Sequence, residues 1–513
     1  MVNADVIIII LQKRGGTEIM SNITVTDLTF AYDGDPVNVF EHVSFRIDTD
    51  WKLGFIGRNG RGKTTFLRLL MGQYRYTGRI SSSVSFSYFP YTIKSEDEYI
   101  LAGELASQIC PEAEEWEIVR ELSLLGVTSD VLYRPLCTLS QGERTKLMLA
   151  GLFLGGKGFP LIDEPTNHLD SEGREAVAEY LSGKKGFILV SHDRAFLDRS
   201  VDHILSINRS NIEVRSGNFS SWYENFERQQ SYEMARNEKL MKDIEDLKEA
   251  SRRTAVWADR VEASKKGTIN SGVRPDRGYI GHKSAKMMKR ATVLLTRQEK
   301  AIEEKSGLLK NAEEDESLRL YPLEFRQPRL LKLRDVQVRY GGKPVTGKIS
   351  FELMRGQRIA LEGKNGCGKS SILKLICGEA LDYEGEAELA SGLVISYMPQ
   401  STDGLTGSIS DFARNNGIDE NRFRAALRKL NFARTQFDKD ISEYSGGQKK
   451  KVLLAASLCK NAHLYVWDEP LNFIDIYSRM QIEELISEFS PTMIFVEHDK
   501  MFRERIATEV ISL

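Results

Sequence analysis

The sequence predicts an α/β protein made of two tandem nucleotide-binding (P-loop NTPase) domains joined by a long antiparallel α-helical hairpin. Three observations predict it. The stretch Gly57-Arg58-Asn59-Gly60-Arg61-Gly62-Lys63-Thr64-Thr65 returns 306 residues later as Gly363-Lys364-Asn365-Gly366-Cys367-Gly368-Lys369-Ser370-Ser371. Short β-branched segments alternate with helical patterns from Ile23 onward, and the same plan restarts near Leu330. Between the two halves runs a charged, helix-like stretch with no proline before Pro275. The expected division is an N-terminal extension over 1–19, a first domain over 20–221, a linker over 222–320 with a tip loop near 264–284, and a second domain over 321–513.

Composition narrows the function. With 513 residues, 41% hydrophobic and 28% charged, the chain has ordinary globular character and room for two full cores. Its longest strongly apolar run, 6–11, falls far short of the roughly 20 residues that a membrane-spanning helix needs. The five cysteines form no CxxC pair, which suits reduced thiols in a cytosol and excludes a disulfide framework or a zinc module. Residues 1–19 lack the early basic region and small-residue cleavage site of a signal peptide. Two readings of residues 1–19 stay open: an ordinary N-terminal tail, or a translation start at Met20, since Arg14-Gly15-Gly16 is encodable by a ribosome-binding sequence just upstream of that codon.

In each domain an expected strand, 52–56 or 358–361, runs into the glycine-rich loop. A GxxxxGK[ST] loop between strand and helix turns backbone N–H groups and a helix N-terminus toward phosphate oxygens, with glycine wherever the backbone must come close. The candidate phosphate contacts are Gly57, Asn59, Gly60, Gly62, Lys63, Thr64 and Thr65 in the first domain. Their counterparts are Gly363, Asn365, Gly366, Gly368, Lys369, Ser370 and Ser371. The lysines would reach the β and γ phosphates of ATP, and the hydroxyls of Thr64 and Ser370 would ligate Mg²⁺.

Asp163-Glu164 and Asp468-Glu469 end two further apolar runs, 159–162 and 464–467. Paired acids after a strand are commonly a solvated strand end. Here their matched spacing after both loops points instead to a metal-holding Asp and a Glu that orients and deprotonates water. Leu139-Ser140-Gln141-Gly142-Glu143 and Tyr444-Ser445-Gly446-Gly447-Gln448 each open a helical stretch. These resemble the signature motifs of ATP-binding cassette ATPases. The resemblance implies that Ser140 with Gly142, and Ser445 with Gly447, contact the γ-phosphate held by the opposite cassette, so that ATP joins the two halves and hydrolysis releases them. It also marks His192 and His498 as switch histidines, Tyr32 and Tyr340 as aromatics stacked on adenine, and Gln400 as a contact to Mg²⁺ and the attacking water. Tyr91 stands where the first cassette would carry the corresponding glutamine, which predicts slow hydrolysis at the site using the first loop.

In the linker, Leu240, Ile244, Leu247, Ser251, Thr254, Ala258 and Val261 step by 4 and 3, as do Ala291, Leu295, Gln298, Ile302, Lys305, Leu309 and Ala312. Such seams predict two packed antiparallel helices about 60 Å long. Gly267, Gly272, Pro275, Gly278 and Gly281 mark a loop between them. From Arg252 to Lys300 there are 13 basic against four acidic residues, although the whole chain sums to -2. A basic tip fits phosphate backbones and unpaired bases, with Arg252, Arg253, Arg260, Lys265, Lys266, Arg274, Arg277, Tyr279, Lys283 and Lys286 as candidate RNA contacts and Trp257 as a further stacking ring. The plainer alternative is a solvated hairpin or a protein-docking arm.

Two cassettes in one chain, no membrane span and a helical linker resemble the ABC-F class, over about 23–513. Glu-Pro-Thr-Asn-His-Leu-Asp at 164–170 has the form of that class, while the second cassette departs with Glu-Pro-Leu-Asn-Phe-Ile-Asp at 469–475. With the glycine-broken tip, these features resemble the antibiotic-resistance members of the Lsa and Vga types. That implies a cytoplasmic, ribosome-associated monomer with intramolecular cassette pairing, acting on the 70S ribosome from the exit-tRNA site beside 23S rRNA and the P-site tRNA. Its tip would displace lincosamides, streptogramin A compounds and pleuromutilins. The alternative within the class is a factor that relieves stalled ribosomes without a drug role. An exporter motor would need a membrane partner and leaves the basic stalk unexplained, and a DNA-repair ATPase fits neither the short hairpin nor the cysteines.

Overall fold

The computed structural model describes residues 21–32, 38–93, 95–156, 158–167, 169–207, 212–263 and 318–513, with a few helical positions between 286 and 300. The N-terminal extension, Met20, the tip loop and most of the second linker helix lie outside the described residues. The chain divides into two compact units, one formed by Met1–Trp222 with Ser317–Leu513 and the other by Tyr223–Glu316.

The first half of the larger unit runs β1 (Asn22–Phe30), β2 (Phe40–Asp48), β3 (Lys52–Gly57), α1 (Lys63–Leu70), β4 (Thr77–Ser82), β5 (Phe86–Phe89), α2 (Ala102–Ile109), α3 (Glu115–Leu124), α4 (Gln141–Leu154), β6 (Phe159–Asp163), α5 (Ser171–Ser182), β7 (Phe187–Val190), α6 (Arg194–Ser200), β8 (His203–Ile207) and β9 (Ile212–Ser216). A three-stranded antiparallel sheet, β2-β1-β4, faces a six-stranded sheet ordered β5-β6-β7-β3-β8-β9, parallel except for the β8–β9 pair. Strands β3, β6 and β7 are almost continuously apolar because helices and the second sheet cover both faces of a parallel sheet. Phe55, Phe66, Leu67 and Leu205 fill the space between the sheets around α1.

After α7 (Phe219–Ala263) the plan repeats as β10 (Arg329–Tyr340), β11 (Lys343–Pro344), β12 (Ile349–Met354), β13 (Arg358–Glu362), α8 (Lys369–Ile376), β14 (Asp382–Leu389), β15 (Ile395–Met398), α9 (Ile409–Asn415), α10 (Glu420–Lys429), α11 (Gly446–Cys459), β16 (Leu464–Asp468), α12 (Ile476–Phe489), β17 (Met493–Val496), α13 (Lys500–Ile506) and β18 (Glu509–Ser512). Its parallel sheet is ordered β15-β16-β17-β13-β18, beside an antiparallel sheet in which β10 pairs β11, β12 and β14. Each half is therefore an α/β cassette whose phosphate loop leaves the carboxyl end of a central strand, where open α/β sheets place their ligands.

The smaller unit is described chiefly through α7, whose 45 residues rise about 68 Å at 1.5 Å each. Within it Ile244 is buried, Arg252 and Arg253 are exposed, and Arg253 Nη2 pairs with Glu249 one turn back at 2.9 Å. Lys286 is an exposed helical position. The side chain of Arg260, with Lys265, Lys266, Arg274, Arg277, Tyr279 and Lys283, lies outside the described residues.

Candidate active site

Two clefts within the larger unit gather the predicted residues. The first, about 390 Å³, is lined by Tyr32, Asn59, Gly60, Gly62, Lys63, Thr64, Thr65, Asp163, Glu164 and His192 of one cassette and by Gly447 and Phe473 of the other. The second, about 1110 Å³, is lined by Asn365, Gly366, Gly368, Lys369, Ser370, Ser371, Gln400, Glu469 and His498, and across the cleft by Ser140, Gly142 and Lys146. Each phosphate loop thus faces the signature of the other half. Ser445 caps α11 beside the first cleft without lining it.

The local geometry follows from the residue types. Gly62 and Gly368 sit at φ 90, and a Cβ at Gly62 would meet Val39 Cγ1 at 2.5 Å while one at Gly368 would meet Thr346 Cγ2 at 2.3 Å. Only glycine fits there. Lys63 Nζ donates to the carbonyls of Gly57 (2.7 Å) and Arg58, and Lys369 Nζ donates to those of Gly363 (2.7 Å) and Lys364, so each loop is wrapped around its lysine. Burial pulls the Lys63 ammonium down from its ordinary value, against the raising influence of Asp475, Glu164 and Asp163. Each signature serine closes a capping box: Ser140 Oγ accepts from Glu143 N while Glu143 Oε2 accepts from Ser140 N, and Ser445 and Gln448 repeat this. The helix N-terminus with its partial positive charge is thereby aimed into the cleft.

Thr64 Oγ1 donates to Asp163 Oδ2 at 2.7 Å, as does Tyr88 at 3.1 Å. Burial raises the Asp163 carboxyl, as it does Asp468, and for both the hydrogen bond from the loop hydroxyl, Thr64 or Ser370, works in the opposite direction. Glu164 and Glu469 adopt the left-handed backbone at φ 51 and φ 48, a strained state for a non-glycine residue, fixed in each half by a bond from the Glu N–H to the carbonyl of Val190 or Val496.

The two glutamates differ in their surroundings. Glu164 Oε1 is buried without a hydrogen-bond partner among the described residues, 3.3 Å from His192 Nε2, which itself contacts Asn59 Oδ1 at 3.0 Å. Burial first, then the Asp163 carboxylate, pushes Glu164 up to about 8, and burial holds His192 well below the usual imidazole range. Burial also opposes ionisation of Glu469, but His498, Gln400 and Asn472 outweigh it and hold the carboxyl at about 2. Asn472 Nδ2 donates to it at 2.5 Å, and His498 Nε2 lies 3.7 Å away. Tyr91 does not line the first cleft; burial, with the adjacent Cys110, pushes its phenol up to about 12.

Several site residues carry no clear sequence signal. Lys450 is buried, and its ammonium donates to the carbonyls of Pro399 (3.0 Å), Gln400 (3.1 Å) and Asp468 (3.2 Å), fixing the Gln400 loop against the strand end. In the run Lys449-Lys450-Lys451 it reads as part of a solvated face. Its counterpart in the first half is Thr145, so the Tyr91 segment lacks this anchor. Asn59, expected on phosphate, also donates from Nδ2 to Phe473 O across the interface at 2.7 Å. Tyr32 lines its cleft with its hydroxyl 2.7 Å from Thr65 Oγ1. Tyr340 does not line the other: the tight Gly341-Gly342 turn pairs it with Lys343 at the hairpin end.

Fold and site define an ATP-binding cassette ATPase with both cassettes in one chain, each composite cleft built from the phosphate loop of one half and the signature of the other. Residues 40–167 and 346–472 match the family described as ABC transporter, so both halves are ATP-binding domains of that family. The chain is 29% identical over 507 residues to "Probable ATP-binding protein YheS" of Escherichia coli, covering 90% of this chain and 74% of that one. It is 26% identical over 556 residues to "ABC transporter F family member 2" of Arabidopsis thaliana, covering 98% and 78%. It is also 26% identical over 498 residues to "Ribosome protection protein VmlR" of Bacillus subtilis, covering 94% and 85%. Among solved structures, an archaeal ribosome recycling factor in complex with a ribosomal stalk protein superposes with a TM-score of 0.61 at 19% identity, covering 95% of this chain and 87% of that one. No described helix is long and apolar enough to cross a membrane.

Proposed function

We propose that this chain is an ABC-F ATPase that protects the 70S ribosome from antibiotics bound at the peptidyl-transferase centre. ATP closes the two cassettes, and the closed form enters the exit-tRNA site, where the linker tip reaches past the P-site tRNA along 23S rRNA and displaces lincosamides, streptogramin A compounds or pleuromutilins. The observation that carries this reading is the pairing of each phosphate loop with the opposite signature inside one chain that also carries a 45-residue helix leading into the basic stretch. Similarity to a protein named for ribosome protection, over 94% of the chain, supports it. A protein that acts on 70S ribosomes works in the cytoplasm, which is the compartment this reading assigns.

The donor sets fit Mg²⁺. Asp468 Oδ1 is buried with no hydrogen-bond partner among the described residues, as suits a carboxylate facing a hydrated cation; Ser370 hydrogen-bonds the same carboxyl group and lines the cleft with Gln400. Thr64 and Asp163 form the matching pair in the first cleft. Bound there, the ion would neutralise phosphate charge. The lysines and signature helices hold the triphosphate, and Glu469 takes the proton of the attacking water.

Co-sedimentation with 70S ribosomes of the Glu164→Gln, Glu469→Gln double variant in ATP tests ribosome binding, and failure to pellet with them refutes it. Inhibitory concentrations in a susceptible bacterium with and without the gene test the drug role. Unchanged values for all three classes, with ribosome binding intact, leave the stalled-ribosome factor as the function.

A further inference from the structure

The two sides of the cassette interface are built from matched positions with unmatched chemistry. Arg194, two residues after His192, sends its guanidinium across to Glu483 on α12: Nη1 donates to Oε2 at 3.1 Å and Nη2 to Oε1. Arg505 donates to the same Oε2 at 3.1 Å, and Arg194 Nη2 lies 3.7 Å from Asp499 Oδ1. The side chains of Glu483 and Asp499 are fully buried and that of Arg194 is 5% exposed. On the other side the equivalents of Arg194 and Glu483 are Lys500 and Ala178. Lys500 is exposed, and a small cavity of about 50 Å³ lies between it, Ala178, Arg174 and Arg503.

A second set of matched positions repeats the difference. Arg58 in the first phosphate loop donates to Asn431 Oδ1 at 3.0 Å and lies 5.5 Å from the Tyr477 ring centroid. At the equivalent place Lys364 meets Glu172 at 3.2 Å, with both side chains about three-quarters exposed, and Gly126 replaces Asn431. Exposed pairs of that kind add little, whereas parting the halves at Arg194 breaks a buried, bidentate pair and with it two charge-assisted hydrogen bonds at once. Arg503 Nη1 to Ser171 Oγ, at 3.4 Å, is a further cross-contact near the Lys500 side.

We propose that Arg194 and Glu483 form a latch that keeps the cleft of the first phosphate loop closed through the ATPase cycle, so that the halves part on the Ala178–Lys500 side and nucleotide exchanges mainly at the second cleft. The latch acts by position. Arg194 fixes the start of α6 behind His192, and Glu483 lies on α12, which is capped by Asp475, whose Oδ2 accepts Asn59 N at 3.4 Å. The larger volume of the second cleft accords with it.

Release of a fluorescent ADP analogue tests this in full-length chains with one working loop, Lys369→Ala for the first cleft and Lys63→Ala for the second. Release from the first cleft is expected to be at least about tenfold slower. Glu483→Ala should remove most of that difference. Ala178→Glu with Lys500→Arg, which builds the missing latch, should slow the second cleft by about tenfold and leave the first unchanged. Equal release from the two clefts, or a folded double substitution that leaves the second unchanged, overturns the proposal. Circular dichroism reports folding, and if Glu483→Ala unfolds, the added latch alone decides. Analogue binding to both single-loop chains separates failure of the latch from failure of the ATP sites.

Discussion

Glu164→Gln and Glu469→Gln should differ sharply in their cost to ATP turnover. Glu469 is held at about 2 by His498, Gln400 and Asn472, so it is ionised throughout the neutral range. Glu164, at about 8, is ionised in only about one molecule in ten at pH 7. If turnover follows only the fraction of each base that is ionised, the first cleft supplies about a tenth or less of the flux. Glu164→Gln should therefore lower steady-state phosphate release at pH 7 by about 10% or less, and Glu469→Gln by about tenfold. The residual activity of Glu469→Gln should climb by up to about tenfold between pH 7 and pH 9 as Glu164 loses its proton, while Glu164→Gln stays nearly flat. A malachite-green phosphate assay across that range is sufficient. Equal losses from the two substitutions, or a flat profile for Glu469→Gln, would refute the reasoning.

Two further outcomes concern the scaffold. Gly60→Ala meets nothing within 4 Å but must hold φ +80, so it should cost about 1 kcal/mol in denaturant titration and keep ATP binding, whereas Gly62→Ala, with Val39 in its path, should abolish binding at the first loop in the analogue assay. Glu121, a buried residue of α3, accepts from Tyr180 at 2.6 Å and from Lys184 and Arg120, partners that outweigh the raising effect of burial and hold its carboxyl below the ordinary value. Because the folded value is depressed, its contribution is complete above the unfolded value and fades as pH falls through the folded one. Glu121→Gln should cost about 2 kcal/mol at pH 7 and progressively less as acid protonates the wild-type residue, checked by thermal melts.

The sequence alone determined the duplicated α/β plan, because phosphate chemistry demands glycine, lysine and hydroxyl at fixed spacing after a strand, and that demand appears twice. Local rules also made Ser140 and Ser445 helix-opening residues, since the capping box is complete within four positions. Tertiary structure decided what pairs across the interface. Arg194 and Glu483 stand 289 residues apart, and nothing local distinguishes Glu483 from an exposed helical glutamate. Nothing in the run Lys449-Lys450-Lys451 sets Lys450 apart, and only packing turns its ammonium onto three carbonyls. Tyr91 is visible in the sequence as a misfit, but its place outside the lining of the first cleft and the opposite shifts of Glu164 and Glu469 come from burial and neighbours that the fold supplies. Backbone chemistry is short-range and therefore written in motifs. Electrostatics depends on which charges the fold buries together, and for these two halves the fold buries different ones.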